Sequence, residues 1–515
     1  MEIKYRMLSE LPALAWIAYV ENQIITVLHG KKVETHDDFF VEGAWDGPFE
    51  EGRFDVSEWF CGTGAVKQDD NIVFASPTGM HAGLYFLNQG NKFVICNSLP
   101  FIMASEGYSF DVKFDGYPQF FNNNVLQGIY KYNENIPLLK ILDDGSTKTD
   151  DKIKMVLYRN ITIYKNGEFS IDVKKDFKGF ENFSEYYSRL VSTMKNLTKN
   201  AQSENRIYKY GVTSFISSGY DSACCAAIAK ESGADKVMTF KATGKYVNDS
   251  GVSTAKYLGY KNIIEKEADN YKLEKEFPEI QSISGGDIGF EISFGAFKDD
   301  MKNNLVYSGE NGDFIWCKNK SFQNINDEYH IVWSNSEIGL GESHLHQEYI
   351  PVPMTNYGIR HWKDLYRISN SQEMEAWSIH TEYDRPIPRR ILEEHGVPRE
   401  SFGNTKYGAG FFYAFDWEKR ILRRMSDNSA QDFDKFVKKN RNMSSIKSYI
   451  RYIWATKYNY LNALLQKLHL GQGISTPDNK VEKIYSVPNP FAAKYLIPWA
   501  GEKMIDNYRK ALKRK

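Results

Sequence analysis

Short runs of β-branched and aromatic residues, separated by Gly, Asn and Asp, fill the first third of the chain. The clearest of these runs are residues 16–20, 24–28, 71–75 and 92–96. Runs of this length between turn-forming residues are typical of β-strands. Two further runs, 158–164 and 168–173, flank an Asn-Gly pair, which predicts a β-hairpin. Residues 1 to about 175 are therefore predicted to be mostly β-structured.

The hydrophobic period changes near residue 178. Asn182 and Glu185 resemble the capping box that begins a helix, with Asn in place of Ser or Thr. Apolar residues then recur at helical spacing, at Tyr187, Leu190, Val191, Met194 and Leu197. Strand-like runs and helical runs alternate after that, as strands at 212–216 and 237–240 and helices at 222–231 and 249–258. This alternation predicts a parallel sheet covered by helices. Beyond about residue 345 the pattern is mainly helical.

Composition is that of an ordinary globular protein. The 515 residues suffice for about two or three domains, and 42% hydrophobic with 25% charged residues argues against disorder. The 65 Lys and Arg nearly balance the 66 Asp and Glu, so no charge excess favours nonspecific binding to nucleic acid or membranes. The 5 cysteines form no CxxC pair, and no apolar run approaches the ~18–20 residues that span a bilayer. We therefore expect a cytoplasmic protein.

A loop of small residues joins the strand pattern at 212–216 to the helical pattern that follows. Its sequence is Ser217-Ser218-Gly219-Tyr220-Asp221-Ser222. Unsatisfied N–H groups at a helix start favour anions, so such a loop can cradle phosphates, with hydroxyl donors beside it. Asp221 suits an anion site once Mg²⁺ bridges its carboxylate to phosphate. The loop is neither a Walker loop nor a GxGxxG fingerprint. A serine-rich turn with a capping acid is the structural alternative.

A second acidic loop follows the strand pattern at 304–307. Its sequence is Ser308-Gly309-Glu310-Asn311-Gly312-Asp313. Because the carboxyl ends of parallel strands meet at one edge of a sheet, Asp221 and Asp313 are expected to converge on one ligand. The same argument places Phe240, Lys241 and Ala242, at the end of the intervening strand, near a bound nucleotide.

Both loops resemble motifs of the asparagine synthetase-like family of PP-loop ATP pyrophosphatases. The first resembles the family's SGGxDS loop, which binds the pyrophosphate of ATP, with Ser218 in place of Gly. The second resembles the TGEGADE segment, whose last Asp joins the first loop's Asp on Mg²⁺-pyrophosphate, with Phe314 in place of the final acid. The resemblance implies ATP and Mg²⁺ as cofactors, with Asp221 and Asp313 as metal ligands. The implied nucleotide-binding residues are Ser217, Ser218, Gly219, Tyr220, Asp221, Ser222, Phe240, Lys241 and Gly309.

A third stretch, residues 385–406, resembles the family's C-terminal segment that ends in Lys-x-Gly. The resemblance places Lys406 against the α-phosphate, where an ammonium stabilises the transition state of adenylate formation. Just upstream, residues 382–386 share the Glu-to-Pro spacing of the family's E-x-R-x-P stretch, with Asp384 at the position of the Arg. The resemblance thus implies Glu382 as the acid that deprotonates an incoming amine.

Residues 71–104 resemble strands of the glutaminase domain that precedes the ligase domain in asparagine synthetases. The nucleophile of that domain is the cysteine directly after Met1, whereas this chain has Glu2 there and no cysteine before Cys61. An amino-terminal nucleophile needs the free α-amine beside its own thiol. The resemblance therefore implies a glutaminase-like domain without glutaminase activity.

The resemblance implies an α/β protein of two domains. Residues 1–177 would form a degenerate glutaminase-like, Ntn-hydrolase-like β-rich sandwich. Residues 178–515 would form the ATP pyrophosphatase domain, a PP-loop (adenine nucleotide α-hydrolase-like) parallel sheet with a helical C-terminal extension. The implied activity is an AMP-forming carbon–nitrogen ligase that adenylates a small-molecule, sugar or peptide carboxylate. Ammonia, free or from a separate amidotransferase, or a substrate amine would then displace AMP. A homodimer is compatible with this activity, and neither nucleic acid nor membrane is an expected partner.

Other interpretations of the whole chain stay open. The departures at Ser218 and Phe314, with the missing cysteine, also fit a degenerate scaffold that binds nucleotide without turnover. Another PP-loop activity, such as nucleobase amidation or tRNA thiolation, is a further alternative. The absence of a paired-cysteine metal or sulfur motif and of a basic excess argues against tRNA thiolation.

Several single residues also have more than one interpretation. Glu373 and Glu375 compete with Glu382 for the role of base. His344 and His346, on one face of a predicted strand, offer metal ligands, although a local structural role is favoured. Four arginines of the helical region are candidates to hold an acidic group of the substrate, namely Arg360, Arg367, Arg389 and Arg390.

Overall fold

The computed structural model describes most of the chain. The described residues are 1–79, 82–114, 116–118, 120–121, 128–150, 152–241, 249–274, 276–286, 291–318, 336–381, 383–403, 418–441 and 492–513.

The first 173 residues form two six-stranded sheets and one small sheet. The strands are β1 (Glu2–Met7), β2 (Trp16–Glu21), β3 (Ile24–His29), β4 (Glu34–Thr35), β5 (Phe39–Trp45), β6 (Phe60–Gln68), β7 (Asn71–Ala75), β8 (Leu84–Asn88), β9 (Lys92–Cys96), β10 (Tyr108–Phe110), β11 (Leu138–Ile141), β12 (Thr147–Asp150), β13 (Lys154–Val156), β14 (Arg159–Ile163) and β15 (Phe169–Val173). The first sheet has the order β1-β3-β2-β9-β8-β13, the second β15-β14-β7-β6-β5-β4, and the small one β10-β11-β12.

The two large sheets face each other across an aromatic core. Trp16 of the first sheet lies with its ring centroid 4.9 Å from Phe40 and 6.2 Å from Phe74 of the second. The predicted strands and the 158–173 hairpin are confirmed, since β14 and β15 pair antiparallel through the turn at Gly167, whose φ is 85°. Pattern alone did not reveal β1, which pairs parallel with β3 at the edge of its sheet.

The predicted parallel sheet is also confirmed. It has five strands, namely β16 (Gly211–Phe215), β17 (Lys236–Phe240), β18 (Asn262–Lys266), β19 (Asn304–Ser308) and β20 (Ile350–Pro353). They are all parallel and lie in the order β18-β17-β16-β19-β20. All of them run the same way because each connection between them crosses over the sheet. The protein is therefore mixed α/β.

Helices pack on these sheets and on one another. They are α1 (Leu99–Glu106), α2 (Phe183–Ala201), α3 (Tyr220–Glu231), α4 (Val252–Tyr257), α5 (Ile280–Ile283), α6 (Lys298–Met301), α7 (Gly312–Ile315), α8 (Ser336–Gln347), α9 (Trp362–Ser369), α10 (Pro386–Glu394), α11 (Glu418–Arg424), α12 (Asp427–Asn440) and α13 (Leu496–Lys513). Short 3₁₀ turns lie at Phe49–Glu51, Ala268–Leu273, Ile292–Phe297, Met354–Asn356, Ile359–His361, Gln372–Trp377, Arg399–Ser401 and Ala493–Tyr495. Among the described helices, none has the length and apolar character that crossing a membrane requires.

Helix α2 begins where the capping pattern predicts. The Asn182 side chain accepts a hydrogen bond from the Glu185 N–H at 2.9 Å. The Glu185 carboxylate accepts from the N–H of Glu181 instead of Asn182, so the capping box is only half formed. Leu190 and Met194 are fully buried on the inner face of the helix.

A buried ion pair ties the second large sheet to the chain that follows α2. Arg206 lies 3.1 Å from Glu34 of β4, and both side chains are 1% exposed. Arg206 also donates to the backbone carbonyl of Gly43 at 2.7 Å, and to the side chain of Asn200 at 2.7 Å. Its guanidinium carbon lies 4.3 Å from the ring centroid of Phe49. The sheet and the end of α2 therefore share one fully satisfied polar contact.

Candidate functional site

The loop of residues 217–222 lies at the carboxyl end of β16, in the middle of the parallel sheet, and leads directly into α3. The Ser217 and Ser222 hydroxyls are 2.7 Å apart, and the Ser217 N–H donates to the Ser222 hydroxyl at 3.0 Å. The Gly219 N–H donates to the Ser217 hydroxyl at 3.2 Å. One of the two hydroxyl hydrogens joins the two oxygens, so the other can point outward to an anion at the helix start.

Tyr220 plays a different part from its neighbours in the loop. Its side chain is fully buried, and its hydroxyl accepts a hydrogen bond from Arg389 of α10. Its ring lies 4.9 Å from that of Tyr383 and 5.7 Å from that of Phe402. The side chain therefore anchors α3 to the helical part of the protein, and Tyr220 has only its backbone N–H to offer a ligand.

The two acidic loops lie against each other. A Cβ placed on Gly309 would lie 2.5 Å from the Ser222 backbone nitrogen, and one on Gly312 would lie 2.6 Å from the Asp221 carboxyl carbon. This contact follows from strand order, because β19 is the neighbour of β16. Asp221 and Asp313 are both half-buried at this edge. Two carboxylates suit Mg²⁺ here, since that ion is usually held by one or two carboxylates together with substrate phosphates.

Replacing Gly309 by alanine is expected to separate the two loops. The added Cβ would overlap backbone atoms, which cannot rotate away, so the free energy of unfolding should fall by about 1–3 kcal/mol. Urea unfolding measures this change. Gly295→Ala is the matched control, because its Cβ would meet its nearest neighbour at an ordinary 3.4 Å. Equal stability of the two variants would show that the loops are not in contact.

Ser218 is held by two other segments of the chain. Its hydroxyl donates to the Asp249 carboxylate at 2.8 Å, and its N–H donates to the Asp249 carbonyl at 3.2 Å. Its own carbonyl accepts from the Gly403 N–H at 2.8 Å. The Ser218 hydroxyl hydrogen is therefore directed to a carboxylate rather than to a phosphate. Ser218, which stands where the resembled SGGxDS motif has Gly, instead connects the loop to two neighbouring segments.

Asp249 is a site neighbour that the sequence pattern does not reveal. Pattern assigns it to a helix over 249–258, but α4 begins only at Val252. Ser250 forms an isolated β-bridge with Ser217, which holds this segment extended beside the loop. Burial raises the pKa of the Asp249 carboxyl, and its hydrogen bonds from Ser218 oppose that rise. The only signal in the sequence is an Asp-Ser-Gly run before the apolar positions of a helix.

Phe240 and Lys241 lie at the end of β17, but neither side chain is directed to the loop by a described contact. Phe240 packs in an aromatic cluster on one face of the sheet, with ring centroids 6.2 Å from Phe215 and 6.0 Å from Phe294. The exposed Lys241 places its Nζ 3.8 Å from a Glu267 carboxylate oxygen. Ala242 lies outside the described residues.

The two predicted catalytic residues, Lys406 and Glu382, lie outside the described residues. The alternatives for the base, Glu373 and Glu375, are both in ion pairs. Glu373 accepts from Arg390 at 2.7 Å, and Glu375 accepts from Lys318 at 3.1 Å.

The four candidate arginines all have partners within the protein. Arg360 donates to the Lys174 carbonyl, Arg367 to the carbonyls of Phe180 and Glu181, Arg389 to Tyr220, and Arg390 to Glu373 and Glu394. Their guanidinium groups therefore serve packing within the fold. A fifth arginine, Arg385, for which the pattern offers no signal, is buried at the start of α10.

The prediction that His344 and His346 share one face of a strand is wrong, because both belong to α8. On a helix, residues two apart point in different directions. His344 lies 3.2 Å from Glu42 of β5, whereas His346 lies 3.1 Å from Glu342 of its own helix. Each imidazole thus has its own carboxylate. Across the described ranges, no group of three or more His, Cys, Asp or Glu is arranged to hold a metal ion.

Cys61 lies in the interior strand β6 and is 1% exposed. Burial raises the pKa of its thiol well above the ordinary value. A buried thiol with a raised pKa is a poor nucleophile. Met1 is half-buried and packs against the core between the two large sheets.

The chain matches no protein-family model, and no curated protein sequence matches it.

Proposed function

We propose that this protein is an ATP-dependent, AMP-forming carbon–nitrogen ligase of the asparagine synthetase-like kind. It adenylates a substrate carboxylate, releases pyrophosphate, and transfers the acyl group to ammonia or to a substrate amine without glutaminase activity of its own. The observation that carries this proposal is the direct contact of the 308–313 loop with Asp221 and Ser222, at the carboxyl ends of two neighbouring parallel strands. Ligands of open parallel sheets bind at this edge.

The loop and α3 suit the pyrophosphate portion of ATP. The first N–H groups of the twelve-residue helix have no partner within the helix, and its dipole favours negative charge there. The Ser217–Ser222 hydroxyl pair adds one O–H donor. Asp221 and Asp313 would hold Mg²⁺, which neutralises phosphate charge when bound. These groups are fixed by the fold before the substrate arrives, so they stabilise developing charge without reorganising.

Two steps of the proposed reaction depend on residues assigned by resemblance. Lys406 would contact the α-phosphate as the substrate carboxylate attacks it, where its charge favours the crowded phosphorus of the transition state. Glu382 would take a proton from the attacking amine. The carboxylate belongs to a small molecule, a sugar or a peptide, and the amine is ammonia or part of the substrate.

A trapping assay tests the proposal. The protein is incubated with ATP, Mg²⁺ and a panel of carboxylic acids, with hydroxylamine as a general amine, and AMP, pyrophosphate and hydroxamate are measured. We expect equal amounts of AMP and pyrophosphate, formed only when a suitable acid is present. ADP and phosphate as products would contradict an AMP-forming ligase. Tight ATP binding without any product across the panel would favour the nucleotide-binding scaffold.

A further inference from the structure

Arg385 is a buried cation that has no anionic partner among the described residues. It is 4% exposed and stands at the N-cap of α10. Its Nη1 donates to the carbonyl of Asp384 at a long 3.3 Å, and its Nε is buried with no hydrogen-bond partner. In the part of the chain that the structure describes, no carboxylate pairs with this guanidinium. The adjacent Asp384 carboxylate is turned to the Ser378 hydroxyl and the His380 N–H.

This arrangement is unfavourable for the protein alone. Buried charges are normally paired, because removing an ion from water costs several kcal/mol unless a partner compensates. The N-cap adds to the cost, since the positive end of the helix dipole also repels a cation. Other buried arginines of the described chain have a carboxylate partner, as Arg206 has Glu34 and Arg389 has Glu393. Arg385 is therefore an exception that calls for a ligand.

Arg385 lies near residues 217–222, the loop proposed to bind phosphate and called the phosphate loop below. Its guanidinium carbon lies 5.2 Å from the ring centroid of Tyr383. The Tyr383 hydroxyl would lie 3.7 Å from a Cβ on Gly219, so a single aromatic ring separates the cation from the loop. Burial raises the pKa of Tyr383, the Asp221 carboxylate raises it further and Arg385 lowers it. Tyr383 thus feels the charges of both the loop acid and the arginine.

We infer that Arg385 binds an oxyanion of the substrate beside the phosphate loop, either a phosphoryl oxygen of the nucleotide or the carboxylate of the acyl substrate. The guanidinium fork suits both, because it offers parallel N–H donors to two oxygens. An anion there would pair the buried charge and extend the binding surface of the loop into the helical region. The identity of the anion rests on the proposed function, whereas the binding of an anion does not.

Arg385→Met and Arg385→Lys test this inference in the full-length protein. Isothermal titration calorimetry is performed with Mg²⁺-pyrophosphate and with Mg²⁺ and α,β-methylene-ATP. If the anion is a phosphoryl oxygen, Arg385→Met should weaken the binding of both ligands by about 10- to 100-fold, and Arg385→Lys should keep part of the affinity. If the anion is the carboxylate, both affinities should stay unchanged. The acid concentration that gives half-maximal pyrophosphate release should then rise by a similar factor.

Thermal unfolding separates a ligand-binding role from a structural one. Because Met removes an unpaired buried charge and keeps much of the stem, the Tm of unliganded Arg385→Met should equal or exceed that of the wild type. Arg423→Gln, which removes an exposed charge of α11, is the control and should leave every measurement unchanged.

The outcomes for Arg385 and for the proposed function are distinct. Unchanged binding and release in Arg385→Met, or a lowered Tm as its only effect, would overturn the inference and leave the ligase standing. Pyrophosphate binding that depends on Arg385, without acid-dependent pyrophosphate release by the wild type, would support the inference and remove the ligase. A wild-type protein that binds none of the anions would overturn both.

Discussion

Asp221→Asn is expected to lower acid-dependent pyrophosphate release by about a thousandfold or more, while the protein stays folded. An amide has nearly the shape of the carboxylate but lacks its charge, so it loses the ability to hold Mg²⁺ against phosphate. Loss of one preorganised charge-stabilising group costs about 10²–10³ in rate, and loss of the metal's charge with it should cost more. The Tm should hardly change, since Asp221 is half-buried at the rim of the sheet.

Radioactive exchange between pyrophosphate and ATP, in the presence of a substrate acid, is the direct measurement. Asp235→Asn is the matched control, because Asp235 is an exposed acid directly before β17, at the opposite end of the sheet. It should keep normal exchange. Near-normal exchange in Asp221→Asn would remove Asp221 from the site, and equal loss in both variants would point to a nonspecific effect of charge.

The second large effect concerns stability. Arg206→Met should lower the free energy of unfolding by about 3–5 kcal/mol, because it leaves the Glu34 carboxylate buried without its cation. The carbonyl of Gly43 and the side chain of Asn200 lose a donor at the same time. Urea unfolding measures this change. If the dependence of the unfolding free energy on urea concentration is the same as in the wild type, the loss belongs to the native state.

A double variant distinguishes the loss of the whole ion pair from the effect of leaving one buried charge without its partner. Arg206→Met with Glu34→Met should recover part of the loss, since apolar replacement of a complete buried pair is often neutral, whereas the Gly43 carbonyl and the Asn200 side chain still lack their donor. Lys165→Met serves as the control, because its pair with Asp70 is 52% and 65% exposed, and it should change stability by about 1 kcal/mol or less. A loss for Arg206→Met no larger than that of the control would show that the pair contributes little.

Much of the architecture could be predicted from local pattern. The strands at 71–75 and 92–96 have the predicted bounds, because short β-branched and aromatic runs between turn residues leave the backbone few alternatives. The capped start of α2 and the strand–loop–helix unit around 217–222 were predictable for the same local reason. Errors occur where long-range contacts override local preference. Asp249 lies outside α4 because its carbonyl and its carboxylate both accept hydrogen bonds from Ser218, in the loop that follows β16.

In the candidate site, too, local features could be predicted from the sequence and long-range contacts could not. The sequence by itself determined which residues of the two loops are candidates for the chemistry, because a helix start with small residues and an acid is a local feature. Only the tertiary structure decided that Gly309 lies against Ser222, that the Ser218 hydroxyl is bound to Asp249, and that Tyr220 is buried. That the Nε of Arg385 is buried with no hydrogen-bond partner among the described residues is likewise visible only after folding. Whether a charge has a partner depends on residues far away in the chain, and no local pattern records their distance.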